Sequence, residues 1–151
     1  MLQRVAHAAV QVFADTVTPA PAVTRQIGHG FVVLLGVAQG DDRGRADRLV
    51  DKIVGLRVFA DEQGKMNRDI RQSGGEILVV SQFTLLADTR KGRRPSFIGA
   101  ADPGTGRSLY EYVVERLRAQ GFVVETGEFG AHMLVEIAND GPVTIVIDTE
   151  E

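Results

Sequence analysis

The chain has 151 residues, 44% of them hydrophobic and 25% charged, a net charge of −3 and no cysteine. That length and balance point to a single globular domain, residues 1–151, with enough chain to bury a core without staples. The missing cysteine excludes disulfides, thiolate nucleophiles and Cys-based zinc sites. The acidic balance argues against a general nucleic-acid binder, though not against a local contact with RNA.

The opening MLQRVAHAAV carries one arginine in a broken apolar run, the pattern of neither a secretory signal nor a membrane anchor. No stretch has the length to span a bilayer, so a cytoplasmic protein without a membrane partner is expected. Residues 2–13 read as a strand. FADTVTPAPAV, residues 13–23, is rich in Pro, Ala and Thr and reads as a loop. GHGFVVLLGVA is a Gly-bounded run of large and β-branched residues, a buried strand. In DDRGRADRLVDKIVGL, Ala46, Leu49, Val50, Ile53 and Val54 recur at helical spacing; Asp41 or Asp42 can cap the start, and Gly55 weakens the end.

RVFADEQGKMNRDIRQSGGE offers one short apolar patch and then turns, and ILVVSQFTLLAD reads as a second buried strand. DTRKGRRPSF gathers Arg90, Lys91, Arg93 and Arg94 into one loop, which is either simply solvated or a contact for phosphates. DPGTGRSLYEYVVERLRAQG is a second helix, with Leu109, Val113 and Leu117 as its stripe and Gly121 as its stop. FVVETGEFG, AHMLVEIAND and GPVTIVIDT read as three more strands, with NDG as a turn. Strands outnumber helices, and two helices are too few for a doubly wound sheet. The expected class is α/β, a three-layer α/β/β arrangement of mixed sheets with two main helices on one face and strands folded over the other.

Several chemistries find no support. His7, His29 and His132 have no metal-ligand spacing, no phosphate-binding loop is present, GHG is too short for a dinucleotide fingerprint, and Ser81 lies outside any nucleophile elbow. Neither a metal site nor a cofactor is expected. Two details stand out instead. Ser81, Gln82 and Thr84 place hydrogen-bonding side chains in an apolar strand, where they need partners or a strand end that reaches solvent. Pro142 follows Gly141 where a strand starts, although proline cannot donate to a ladder.

Those two details carry a resemblance. VVSQFTLLAD and NDGPVT, together with QRV, VVLLGV, DKIVGLRVFADEQGKMN, RRPSF and LYEYVVERLR in the same order, resemble the D-aminoacyl-tRNA deacylase (D-tyrosyl-tRNA deacylase) family over nearly the whole chain. The loop at residues 13–23 looks longer than the family's turn. The resemblance implies a homodimer of the layered fold, with active sites at the subunit interface. It implies hydrolysis of the ester between a D-amino acid and the 3′-terminal adenosine of tRNA, and action on glycyl-tRNA. Gly141-Pro142 would be cis and would enter the partner's site as a wall of main-chain atoms that L side chains strike and D side chains avoid.

By the same resemblance, Ser81, Gln82, Phe83 and Thr84 form the catalytic stretch, with backbone N–H groups for the oxyanion and the ribose 2′-OH assisting water. Thr84 is the one candidate side-chain nucleophile and has no base beside it in sequence. Arg4 is implied to anchor the Gly-Pro loop or the pocket rim. Phe129 and Met133 would pack on the terminal adenine, the alternative being ordinary core packing. The basic loop would meet acceptor-stem phosphates. Two other readings stay open: a non-catalytic protein that holds nucleotides or RNA ends on this scaffold, and a hydrolase of free D-peptides or small esters.

Overall fold

Apolar residues in β3 (Gly30–Leu35) and β6 (Glu76–Ser81) alternate between two separate cores. Phe31, Val33, Leu35, Ile77 and Val79 join the core under the helices, while Val32, Leu78 and Val80 join a second core on the opposite face. Both strands are therefore buried on both sides, which is why they read as continuous apolar runs. They pair in parallel, with Phe31 opposite Ile77 and Leu35 opposite Ser81. In this computed structural model, which describes residues 1–150, they form the centre of a six-stranded sheet.

The first strand, β1 (Leu2–Phe13), organises the rest. One edge pairs with β3 through Leu2–Val5 and with β2 (Val23–Ile27) through Ala8–Val12. Its other edge pairs along its whole length with β8 (His132–Ile145). At the far side β7 (Val124–Thr126) pairs in parallel with β6. The sheet curls so that β2 approaches β6 and β7 without pairing to them. The second core fills this curl, with Val5, Val10, Ile27, Val32 and Leu78 at its centre and Met133, Val135 and Ile137 against it. The expected α/β/β layering is thus present, its third layer being the sheet folded over itself.

Two helices cover the outer face. In α1 (Arg43–Gly55), Asp42 caps the start by accepting from the Arg45 N–H at 2.9 Å, and Ala46, Val50 and Ile53 are buried. In α3 (Pro103–Ala119), Asp102 caps the start, Leu109, Val113 and Leu117 are buried, and Gly121 follows the end at φ +89°. Among the described residues, no helix is long and apolar enough to cross a membrane.

The structure corrects the expected elements in three places. Residues 132–145 form one strand, not two strands joined at NDG. Because β1 is long enough to pair on both sides of the interruption, Asp140, Gly141 and Pro142 become a bulge between the pairs Val5–Asn139 and Arg4–Val143. A bulge asks no ladder hydrogen bond of proline. The second correction is that β6 stops at Ser81, and Phe83–Leu86 form a 3-10 turn instead of continuing the strand. Finally, the stretch after α1 contains a small hairpin, β4 (Phe59–Ala60) with β5 (Met66–Arg68), and a one-turn helix, α2 (Ile70–Ser73). That turn is held by a capping box between Asp69 and Gln72 and closed by Gly74 at φ +71°.

Candidate active site

Strand β3 offers its last paired residue at Leu35, and this sets where β6 must end. The Gln82 N–H takes the Leu35 carbonyl oxygen at 2.8 Å, and the chain then turns. The Leu85 N–H donates to the Gln82 carbonyl oxygen and the Ala87 N–H to that of Thr84, closing the 3-10 turn. Its opening N–H groups, those of Phe83 and Thr84, precede any intrahelical acceptor, and no side chain caps them. Ser81 and Gln82 are half-buried, whereas Phe83 and Thr84 are exposed. The polar residues of SQFT thus stand at a strand end open to solvent, as a pair of unclaimed backbone donors beside an accessible surface.

The turn is braced from three sides. Beneath it lies Gly36: a Cβ there would come within 2.6 Å of Leu86 Cδ2 and 3.3 Å of the Gln82 carbonyl oxygen. The Phe83 ring meets Phe97 edge-on, with centroids 5.0 Å apart. Tyr110, from α3, donates its hydroxyl to the Val79 carbonyl oxygen at 3.0 Å, and burial pushes that hydroxyl's pKa up, so it stays a donor. Gly36 and Phe97 were not singled out from sequence. The glycine that interrupts VVLLGVA was the readable signal for the first, whereas Phe97 depends on a fold-level contact. An apolar cleft of about 260 Å³ runs behind the turn. Its lining includes Leu85, Leu86 and Gly36 but none of Ser81, Gln82, Phe83 or Thr84.

Phe129 and Met133 reach the same end of the sheet. The Gly127 N–H donates to the Val79 carbonyl oxygen at 3.4 Å, which ties the turn after β7 to β6 just before its end. A Cβ on Gly127 would collide with Met133 Sδ. Phe129 lies over Gly106 and near Tyr110 on the helix side, with the Arg107 guanidinium 4.9 Å from its ring centroid. Met133 packs against the core inside the curl. Both side chains are half-buried, on opposite sides of the backbone between them. Arg25 stiffens this turn, donating to the Thr126 carbonyl oxygen at 2.7 Å and pairing with Glu128 at 3.0 Å.

The Gly-Pro bulge sits elsewhere. The Gly141–Pro142 peptide is cis, Gly141 has φ +123°, and both residues are exposed. A Cβ on Gly141 would come within 2.8 Å of Arg4 Nη2 and 2.9 Å of Val143 Cγ2, so only glycine fits. Arg4 Nε donates to the Asp140 carbonyl oxygen at 3.0 Å, and its Nη1 donates to the Val58 carbonyl oxygen at 2.6 Å. Val143, Arg4, Phe31 and Ile77 share one row across the sheet, and Ser81 lies farther along β6 in the direction in which β8 also runs. At about 3.3 Å per residue and about 4.8 Å per strand, Val143 and Ser81 are about 20 Å apart along the sheet. Along the sheet the Gly-Pro bulge with Arg4 is thus separate from Ser81, Gln82, Phe83 and Thr84, whereas Phe129 and Met133 lie by the turn after β7, which Gly127 ties to Val79. Among the described residues, no cluster of His, Cys, Asp or Glu could hold a metal ion.

Known proteins match the chain over nearly its whole length. The profile of the family described as D-Tyr-tRNA(Tyr) deacylase matches residues 1–148. The chain is 55% identical over 151 residues to a D-aminoacyl-tRNA deacylase of Symbiobacterium thermophilum, covering 100% of this chain and 95% of that one. It is 52% identical over 144 residues to the D-aminoacyl-tRNA deacylase of Cronobacter sakazakii, covering 95% and 94%. Among solved structures it is similar to one described as c-Myc DNA Unwinding Element Binding Protein, with TM-score 0.81, 38% identity and coverage of 95% of this chain and 93% of the other. A second, described as a probable eukaryotic D-amino acid tRNA deacylase, shares the fold at TM-score 0.73 and 17% identity, covering 93% of each chain.

Proposed function

The chain belongs to the D-Tyr-tRNA(Tyr) deacylase family and hydrolyses D-aminoacyl-tRNA, releasing the free D-amino acid; we infer how it does so from the SQFT turn and the Gly-Pro bulge. The observation that carries the reading is their separation. The SQFT turn offers open backbone donors, and the Gly-Pro bulge is an exposed main-chain projection held by Arg4. A homodimer that sets the bulge of each subunit against the turn of the other completes two sites.

In that site the ester carbonyl lies against the SQFT turn, and the Phe83 and Thr84 N–H groups receive the oxyanion. Fixed donors aimed at developing charge are usually the largest contribution to acyl-transfer catalysis. The ribose 2′-OH of the terminal adenosine assists attack by water, so the protein supplies orientation and electrostatics. Phe129 and Met133 flank the adenine. The main chain of Asp140, Gly141 and Pro142, held by Arg4, stands where an L side chain would go. Because main-chain atoms do the rejecting, side-chain identity matters little, and glycine, having no side chain, is also accepted from glycyl-tRNA. A tRNA substrate fits a protein of the cytoplasm.

Single-turnover release of amino acid from D-Tyr-tRNA and L-Tyr-tRNA, with chelator present, tests this reading. D-Tyr is released and L-Tyr is retained. Equal release of both, or a fully active monomer, overturns the two-subunit site. Release from D-Tyr methyl ester as fast as from the tRNA would favour a general esterase.

A further inference from the structure

Four cations crowd residues 90–94, and the fold engages one of them. Arg90 closes on Asp88 through two contacts, Nη2 to Oδ2 at 2.6 Å and Nε to Oδ1 at 2.9 Å. That hydrogen-bonded guanidinium holds the Asp88 carboxyl below its ordinary pKa. Among the described residues, no carboxylate lies within ion-pair distance of Lys91, Arg93 or Arg94, and all three are exposed.

The loop that carries them is built, not loose. Asp88 and Ser96 exchange backbone hydrogen bonds of 2.7 and 2.9 Å across its base, and Gly92 tops it at φ +68°. Gln39 holds the returning segment, with its Nε2 donating to the Ile98 carbonyl oxygen at 2.6 Å and its backbone N–H to that of Gly99 at 2.9 Å. Phe97, at the base of the loop, makes the edge-on contact with Phe83. Three cations without partners are therefore displayed on a fixed hairpin beside the catalytic turn, in a chain whose net charge is −3.

We propose that Lys91, Arg93 and Arg94 grip phosphates of the tRNA acceptor end, that Arg90 does not, and that this loop gives the enzyme its preference for tRNA over a bare aminoacyl nucleoside. The proposal rests on the deacylase reading above, which brings a polyanionic backbone to this turn with the ester. Each phosphate neutralised releases counterions, so log affinity falls with log salt by about 0.7–0.9 per contact. Three contacts account for a slope of about −2 to −3. The pair on Asp88 makes Arg90 a brace whose charge is already met.

The test compares two substrates, D-Tyr-tRNA and 3′-O-D-tyrosyl-adenosine, which has the ester and the base but no phosphate. The proteins are wild type, Lys91→Gln/Arg93→Gln/Arg94→Gln, Arg93→Lys/Arg94→Lys and Arg90→Gln. The triple variant raises KM for D-Tyr-tRNA by at least about tenfold at moderate salt and flattens the salt slope by about 2. It cleaves the adenosine ester at the wild-type rate, which also shows that it is folded. The double lysine variant keeps the slope, and Arg90→Gln stays close to wild type on both substrates. An unchanged KM and slope for the tRNA in the triple variant overturns the proposal and points to an acidic protein as the partner of these cations. Equal losses on both substrates, or Arg90→Gln as damaging as the triple variant, overturns it as well. Failure of the wild type to cleave either substrate would instead bring down the deacylase reading itself.

Discussion

Arg4 joins two carbonyl oxygens far apart in sequence, that of Asp140 at 3.0 Å and that of Val58 at 2.6 Å. One guanidinium, its side chain 13% exposed, thereby fixes the Gly-Pro bulge to the segment that follows α1. The fork geometry matters, because Nε and Nη1 are separate atoms that each meet one acceptor, whereas an ammonium presents its donors from a single point. Arg4→Met should cost about 1–3 kcal/mol of stability, since it leaves the part-buried Val58 carbonyl oxygen unpaired. Arg4→Lys should recover part of the stability but little of the chiral discrimination. Thermal unfolding, with the ratio of D-Tyr-tRNA to L-Tyr-tRNA cleavage, measures both. A lysine variant with full discrimination would show that the bulge does not depend on Arg4.

Gly36 supports the SQFT turn from below, the turn proposed to hold the oxyanion. Adding a methyl group there forces Leu86 aside and presses on Gln82, whose carbonyl oxygen starts the turn. Overpacking of this kind costs about 1–3 kcal/mol. Gly36→Ala should therefore lower the single-turnover rate by at least about tenfold, because oxyanion donors work only when held in place. Substrate affinity should change little, because the loop proposed to grip the tRNA phosphates is untouched. Leu86→Ala makes room and should restore part of the rate in the double variant. A Gly36→Ala enzyme with normal rate would show that the turn tolerates displacement.

How far these features could be read beforehand depended on how local their causes are. The double alternation of Phe31–Leu35 and Ile77–Val80 is a local pattern, so both buried strands were legible. The end of β6 was not, because it is set by β3, where the ladder stops at Leu35. NDG followed by proline has the local chemistry of a hairpin turn. It becomes a bulge because β1 pairs with both halves of β8, a fact about a strand at the other end of the chain. Arg4 could be linked with Gly141 only through the family resemblance, since 136 positions separate it from the carbonyl group it holds. The one-turn helix at Ile70 was a readable miss. Asp69 and Gln72 have capping-box spacing, and Gly74 follows as a stop.

Thr84 is exposed, and its side chain makes no hydrogen bond to another group among the described residues. A hydroxyl with no adjacent base is a poor nucleophile at neutral pH. Thr84→Ala keeps the backbone N–H and should retain D-Tyr-tRNA deacylation within about tenfold of wild type in single turnover. Quenched reactions should contain no aminoacyl-protein adduct by mass spectrometry. An adduct on Thr84, or an inactive Thr84→Ala protein with an unchanged unfolding curve, would assign the attack to this side chain.

If the Thr84 side chain is dispensable, the assistance must come from the substrate, and the terminal ribose carries the one hydroxyl adjacent to the ester. General acid–base assistance is worth about 10²–10⁴-fold. Replacing the terminal adenosine by 2′-deoxyadenosine, aminoacylated at the 3′ position with D-Tyr, should therefore slow the single-turnover step by at least about a hundredfold. A hydroxyl that acts only in the transition state lowers kcat and kcat/KM together, whereas one that merely binds raises KM. Binding should be spared, because the phosphates proposed to face Lys91, Arg93 and Arg94 are unchanged in the deoxy substrate. A tenfold loss corresponds to about 1.4 kcal/mol, so the expected defect is about 2.7 kcal/mol or more, beyond what one neutral hydrogen bond supplies. A deoxy substrate cleaved at nearly the normal rate would make the RNA a handle only. The chemistry would then have to come from a side chain near the SQFT turn, with Thr84 the first to test.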